Sequence, residues 1–275
     1  MTDSENSNFV LVDRPVPGVA LVTLNRPERM NSMAFDVMVP LRSVLQELTY
    51  DNSVRAVVLT GAGRGFSSGA DHKSAGSVPH IDGLTRPSYA LRSMEVLDDV
   101  LLALRKMHQP VIAAVNGAAI GGGLCLALAC DIRVAGESAY FRAAGINNGL
   151  TASELGLSYL LPRAIGTSRA FEVMLTGRDI DAAEAERIGL VSRTVPDADL
   201  LDVCYQMGER IASFSRPGIE LTKRTLWSGL DAGSLEGHVQ AEGLGQLFVR
   251  LLTANFEEAV AARAEKRPPV FTDDK

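Results

Sequence analysis

The sequence predicts an α/β fold, a mostly parallel sheet layered with helices and closed by a helical C-terminal region. Three observations carry this. Apolar residues cluster in 55–60 and fill 111–115, the composition of buried strands, and 132–135 follows as a third strand. Between them lie segments whose apolar residues recur at three- and four-residue steps, the spacing of an amphipathic helix. Beyond about Leu150 the strand-like runs stop and helix follows helix.

Residues 1–8 are polar and are expected to form a flexible tail. Residues 9–12 and 19–25 are rich in β-formers around Pro15-Val16-Pro17-Gly18, which predicts a hairpin. Phe35, Met38, Leu41, Leu45 and Leu48 mark a helix with one buried stripe, kinked near its start by Pro40. After the strand at 55–60 comes a glycine-rich loop, 61–69, and a polar stretch to Pro87. Ala90, Met94, Leu97, Leu101 and Leu104 form a second helical stripe. The strand at 111–115 ends in Asn116-Gly117, and a compact apolar helix at 124–130 starts from Gly121-Gly122-Gly123. Asp181-Ala182-Ala183-Glu184 is a capping box, and Gly189 closes its short helix. Breaks near Pro217, Gly233 and Asn255 divide the last helices. The expected organisation is a tail (1–8), a core (9–195) and a helical region (196–275).

The composition excludes several classes. With 275 residues, 46% of them apolar, the chain can bury a full core, which rules out disorder for most of the length. A net charge of −6 argues against a general nucleic-acid binder, which needs a basic face for phosphates. Three cysteines, Cys125, Cys130 and Cys204, are too few and too odd in number for a disulfide framework. The polar start carries no apolar leader. Residues 107–130 hold no formal charge, yet Pro110, Asn116 and the glycine triplet divide them into strand, turn and helix, not a spanning helix. A soluble cytoplasmic protein without membrane contact is expected.

The most informative pattern occurs twice. The strand at 55–60 runs into Gly61-Ala-Gly-Arg-Gly-Phe-Ser-Ser-Gly-Ala-Asp71, and the strand at 111–115 into Asn116-Gly-Ala-Ala-Ile-Gly-Gly-Gly-Leu124. Small residues let another molecule approach the main chain and leave N–H groups to donate. The second set lies at a helix N-terminus, where the macrodipole favours negative charge. Two such loops facing one point make an oxyanion hole; two tight packed turns are the plainer reading. Gly61-Ala-Gly63 with Gly65 has the wrong spacing for a dinucleotide fingerprint. Gly65-Phe-Ser67-Ser-Gly69 fits the nucleophile elbow of a serine hydrolase, but no helical period follows the serine. Cys125 and Cys130 lie on an apolar helix and read as structural thiols, so no metal is expected.

These residues resemble the crotonase superfamily, the enoyl-CoA hydratase/isomerase family. Phe66-Ser-Ser-Gly-Ala-Asp71 and Ala114-Val-Asn-Gly-Ala-Ala-Ile-Gly-Gly-Gly123 look like its two oxyanion-hole segments. Leu24-Asn-Arg-Pro27 with Asn31, Cys130-Asp-Ile-Arg133, Leu161-Pro-Arg-Ala-Ile-Gly166, Leu175-Thr-Gly177 and the stretch 185–191 also match in order. The resemblance implies a crotonase-like spiral of β-β-α units, with C-terminal helices that pack subunits into trimers or dimers of trimers. It implies an acyl-CoA ligand and no separate cofactor. The N–H groups of Ala70 and Gly122 would hold the thioester oxygen, and Ser68, Ala70, Asp71, His72 and Lys73 would line the adenine and pantetheine path. Gly121, Gly122, Cys125 and Gly145 would surround the acyl group.

The acids depart from the family pattern. The two glutamates that hydratases of the family use fall here on Cys125 and Gly145, so both carboxylates are missing. Glu154 matches, with one inserted residue, the aspartate that the dienoyl-CoA isomerase branch uses as a base. Thr151-Ala-Ser-Glu154 is also a capping box, in which Glu154 would serve only its own helix start. The expected activity is hydration or double-bond shift of an enoyl-CoA, with Ala70, Gly122 and Glu154 as the catalytic groups. The alternative is a non-catalytic acyl-CoA binding protein that lost both acids.

Overall fold

The computed structural model describes residues 8–71 and 73–273. The chain opens with the hairpin β1 (Val10–Val16) and β2 (Val19–Leu24), then α1 (Phe35–Tyr50). β1 continues through Pro15 with a bulge between Asp13 and Val16, so the turn is only Pro17-Gly18. Helix α1 runs unbroken past Pro40 and buries Val37, Met38, Leu41, Leu45 and Leu48.

Three β-β-α units follow. They are β3 (Ala56–Gly61), β4 (Gly65–Ser67) and α2 (Arg86–Lys106); β5 (Val111–Val115), β6 (Ala118–Ile120) and α3 (Gly122–Ala129); β7 (Ile132–Gly136), β8 (Tyr140–Arg142) and α4 (Leu157–Ile165). After α5 (Thr167–Thr176) come β9 (Asp179–Asp181), α6 (Ala182–Arg187) and β10 (Arg193–Val195). Helices α7 (Leu200–Ala212), α8 (Arg216–Gly229), α9 (Leu235–Leu252) and α10 (Asn255–Glu265) complete the chain. The first strand of each unit joins a six-stranded sheet, β1-β2-β3-β5-β7-β10, and the second joins a four-stranded sheet, β4-β6-β8-β9. All pairs from β2 to β10 across the large sheet are parallel. Each unit thus advances one strand in both sheets, and that advance is the spiral.

The apolar runs are explained by burial on two sides. Val57 and Leu59 of β3 point into the main core with Val111, Ala113 and Val115 of β5. Their neighbours Val58, Ile112 and Ala114 point to the opposite face, where Leu200 and Cys204 of α7 cover them. With both faces covered, a strand needs no polar alternation. The core therefore continues past Val195, because α7 is the layer that closes the sheet's second face.

Helix α8 is fastened by charge. Lys223, 4% exposed, donates to Leu104 O (3.0 Å) and Gln109 O (2.9 Å) and pairs with Asp131 (2.8 Å). Asp131 also accepts from Trp227 Nε1 at 2.6 Å and from the Val111 N–H at 2.7 Å. The Cys130-Asp-Ile-Arg133 match is thereby given a packing role.

The structure corrects several sequence expectations. The loop at 61–69 contains a strand, β4, and β6 and β8 are also strands of three residues, too short to show alternation. Of the α2 stripe only Leu101 and Leu104 are buried, with Leu97 half-buried; Ala90 and Met94 are exposed because the first turns of α2 extend beyond the core. The serine-hydrolase pattern fails: Ser67 is fully buried in β4, its Oγ accepts from the Gly69 N–H, and irregular backbone follows it. Asp181 caps α6 as expected, accepting from the Glu184 N–H at 2.7 Å. The expected tail falls almost wholly outside the described residues.

Candidate active site

The first glycine segment is positioned by the chain between β2 and α1. Asn31 donates to Ala62 O (2.9 Å) and Gly65 O (2.8 Å) and accepts from the Arg26 N–H, so one buried amide fixes the start of β4. Met33 then pairs with Ala70 as a single parallel bridge. Its N–H donates to Gly69 O (2.7 Å) and its carbonyl accepts from the Asp71 N–H (3.3 Å). In that pattern the flanking residues make the bonds, and the N–H of Ala70 itself is turned away from Met33. Ala70 is exposed.

Asp71 is consumed by its own loop. Its carboxylate is paired with Arg26 (2.9 Å) and Arg29 (2.7 Å), and its side chain is 1% exposed. It also accepts from the Ser32 hydroxyl (3.0 Å) and the N–H groups of Lys73 (2.9 Å) and Ser74 (2.8 Å). Burial alone would raise the carboxyl, but the Arg29 guanidinium, those two N–H groups and the Ser32 hydroxyl hold it far below the ordinary carboxylate range. Asp71 therefore fixes its own loop, as a turn aspartate does through side-chain bonds. Ser68 is half-buried and Lys73 exposed at the same surface; His72 lies outside the described residues.

The second segment is positioned by close packing. Gly121 has φ +52° and ψ −119°, a conformation for which glycine is suited, and its N–H donates to Arg142 O (2.8 Å). The Cys125 N–H closes the first helical bond onto Gly121 O at 3.1 Å, so the Gly122 N–H belongs to the unsatisfied first turn of α3. The two segments lie side by side. A methyl group built on Gly69 would stand 2.6 Å from Ile120 O and 3.2 Å from Gly122 N, and one on Gly123 would collide with Ser67 O. Met33 Sδ covers Gly122 from the other side.

Glu154 reaches this point from far along the chain. It is half-buried, and a methyl group built on Gly121 would lie 3.2 Å from its Oε1. The capping-box expectation is not met, because no helix starts at Thr151. Thr151 Oγ1 donates to Ser153 O, and Leu155 (φ +46°) and Gly156 (φ +77°) form a turn that delays α4 to Leu157. Leu155 lies against Gly122 and also lines a cavity of about 390 Å³ whose walls include Leu101, Leu160 and Tyr159 together with Asp98, Arg105 and Asp231.

Neither of the two family glutamate positions carries a carboxylate here. Cys125 is fully buried, and burial, then the charge of Glu154, pushes its thiol well above the ordinary range. Gly145 is pressed against the carbonyl of Thr151, and its built methyl would also lie 3.1 Å from the Ala152 Cα. A side chain there has no room. Sequence reasoning missed Met33, Leu155 and the arginines, Arg26 and Arg29, that pair with Asp71. The Leu24-Asn-Arg-Pro27…Asn31 motif was the available signal for the last of these. Among the described residues no group of three or more His, Cys, Asp or Glu side chains is arranged to hold a metal ion.

The family model for enoyl-CoA hydratase/isomerase matches residues 16–274. A Mycobacterium bovis protein named "Probable enoyl-CoA hydratase echA12" is 81% identical over 267 residues, covering 97% of this chain and 94% of that one. A probable enoyl-CoA hydratase/isomerase from Mycobacterium abscessus superposes with TM-score 0.94 at 73% identity, covering 98% of this chain and 100% of the other. A protein described as a monofunctional enoyl CoA isomerase, from M. smegmatis, is also 73% identical, with TM-score 0.73 over 85% of this chain and 99% of its own.

Proposed function

The chain belongs to the enoyl-CoA hydratase/isomerase family, and within it we propose that this enzyme shifts the double bond of a 3-enoyl-CoA to the 2-position with Glu154 as its single base. The observation that carries this is the nearness of Glu154 Oε1 to Gly121, one residue from the Gly122 N–H, while positions 125 and 145 offer no second carboxylate. The N–H groups of Ala70 and Gly122 form the oxyanion hole. Glu154 takes the proton from C2, the electron pair moves to the thioester oxygen, and the resulting dienolate is stabilised by those two donors. The same carboxyl then returns the proton at C4, leaving the double bond between C2 and C3. Hydration is the harder task here, because it needs one group to activate water and another to protonate C2. The M. smegmatis relative, being described as a monofunctional isomerase, supports the same reading.

The chain from Ser68 to Lys73 takes the pantetheine and adenine, and the cavity that Leu155 lines takes the acyl tail. Leu235, Val239, Leu244, Leu247 and Leu251 are exposed along α9 and form the subunit contact of a trimer or dimer of trimers. No helix among the described residues is long and apolar enough to cross a membrane. Assays of 3-enoyl-CoA isomerisation and crotonyl-CoA hydration test the activity. Isomerisation should be the faster, and Glu154→Gln should lower it by about 10²–10⁴-fold. Unchanged turnover in that variant would remove Glu154 from the mechanism. Tight acyl-CoA binding without turnover of either ester would identify a non-catalytic binding protein instead.

A further inference from the structure

Cys125, Glu154 and Gly121 form three relations that close on one another. The Cys125 N–H donates to Gly121 O at 3.1 Å. Its Sγ donates to the main-chain carbonyl of Glu154 at 3.6 Å, although the two residues are 29 apart in sequence. The Glu154 side chain then returns to Gly121. The same Glu154 carbonyl accepts the Leu157 N–H at 2.8 Å, so the thiol grips the turn at the point where α4 begins. That turn contains Leu155 in a left-handed conformation that a branched side chain adopts only when its surroundings impose it. Leu155 is itself packed on Gly122, so the turn touches α3 at two adjacent places.

From this geometry we infer that Cys125 is a positioning residue: its thiol fastens the Glu154 turn to α3 and so sets where the Glu154 carboxylate stands over Gly121. The inference rests on Glu154 being the base. A donor is required, since the partner is a carbonyl oxygen. The thiol suits the place because burial and the nearby carboxylate keep its proton on throughout the working pH range. A carboxylate at 125 would face that carbonyl with lone pairs and set a second negative charge beside Glu154. The residue that stands here in place of an acid therefore has a task of its own: it holds the acid that remains.

The test uses the full chain and 3-enoyl-CoA, with Cys125→Ala, Cys125→Ser, Glu154→Gln and the double variant Cys125→Ala/Glu154→Gln. Cys125→Ala should lower kcat by about tenfold, a modest misplacement of the base, with KM close to wild type and a small fall in melting temperature that Cys125→Ser largely restores. Cys125→Ser, which keeps a donor, should recover most of kcat. In the Glu154→Gln background, Cys125→Ala should have no further effect on the residual rate, because a positioning residue without its base has nothing to position. Wild-type kcat in Cys125→Ala, or parallel loss of kcat, KM and stability that serine does not rescue, would overturn the inference. If Glu154→Gln stays fully active, the assignment of the base fails first; if it is inactive while Cys125→Ala is normal, only the role of Cys125 fails.

Discussion

The two glycine segments do similar work by different means. The segment ending in Ala70-Asp71 is held by charge, with one buried carboxylate between Arg26 and Arg29. The segment ending in Gly122-Gly123 is held by shape, with no formal charge from Val111 to Cys130 and glycines pressed onto Ser67 O and Met33. The first can therefore be loosened by changing charge or pH. The second can be loosened only by adding atoms. Two neighbouring segments built this way fail along two separate routes, and the routes can be separated by experiment.

The largest effect should follow from breaking the charged clamp. Asp71→Ala leaves two guanidinium groups without their shared partner and should cost about 3–5 kcal/mol, read as a fall in melting temperature of roughly 10 °C. A loss under about 1 kcal/mol would show that the loop is held by its backbone bonds alone. Next comes the packed segment: Gly123→Ala should cost about 1–3 kcal/mol in urea unfolding, with a penalty that does not change between low and high salt. A salt-dependent penalty would blur the distinction between the segments.

Acid should then act on the first segment and spare the second. The native carboxyl of Asp71 lies below its unfolded value, near 3.9, so its contribution is full above that pH and is lost as pH falls toward the native value. Glu184, lowered by Arg178, contributes with the same sign. Asp71→Asn should accordingly flatten the acid limb of a stability-against-pH curve, whereas Gly123→Ala should shift the curve down in parallel. The smallest expected effect is at the thiols. Cys130 and Cys204 are both pushed up to about 12, mainly by burial, and Cys125 is raised for the same reason. A disulfide-exchange reagent at neutral pH should label none of the three in the native protein and all three in denaturant. Fast native labelling of one thiol would reveal local opening of α3 or α7.

Much of the fold was legible. β3 and β5 are buried on both faces, so they appear as apolar stretches that need no partner to be recognised, and β7 is legible despite Arg133. β4, β6 and β8 were not legible, because three residues carry too little pattern and are held only by the neighbours they pair with. In the sequence, β4 is therefore indistinguishable from the loop around it. The site divides similarly. The loops of Ala70 and Gly122 announce themselves through glycines, whereas the clamp around Asp71 needed the chain at 26–33 folded back onto it.

What the sequence determined by itself was the alternation of strands and helices, the two glycine segments and the lack of carboxylates at 125 and 145. Those features are local, written in side-chain size and spacing. The tertiary structure decided the role open to Glu154. Locally its surroundings spell a helix cap, but the left-handed turn at Leu155-Gly156 moves the helix start to Leu157 and brings the carboxylate to Gly121. That turn is maintained by contacts with α3, among them the thiol of Cys125, and a contact across 29 residues leaves no periodic trace in the chain.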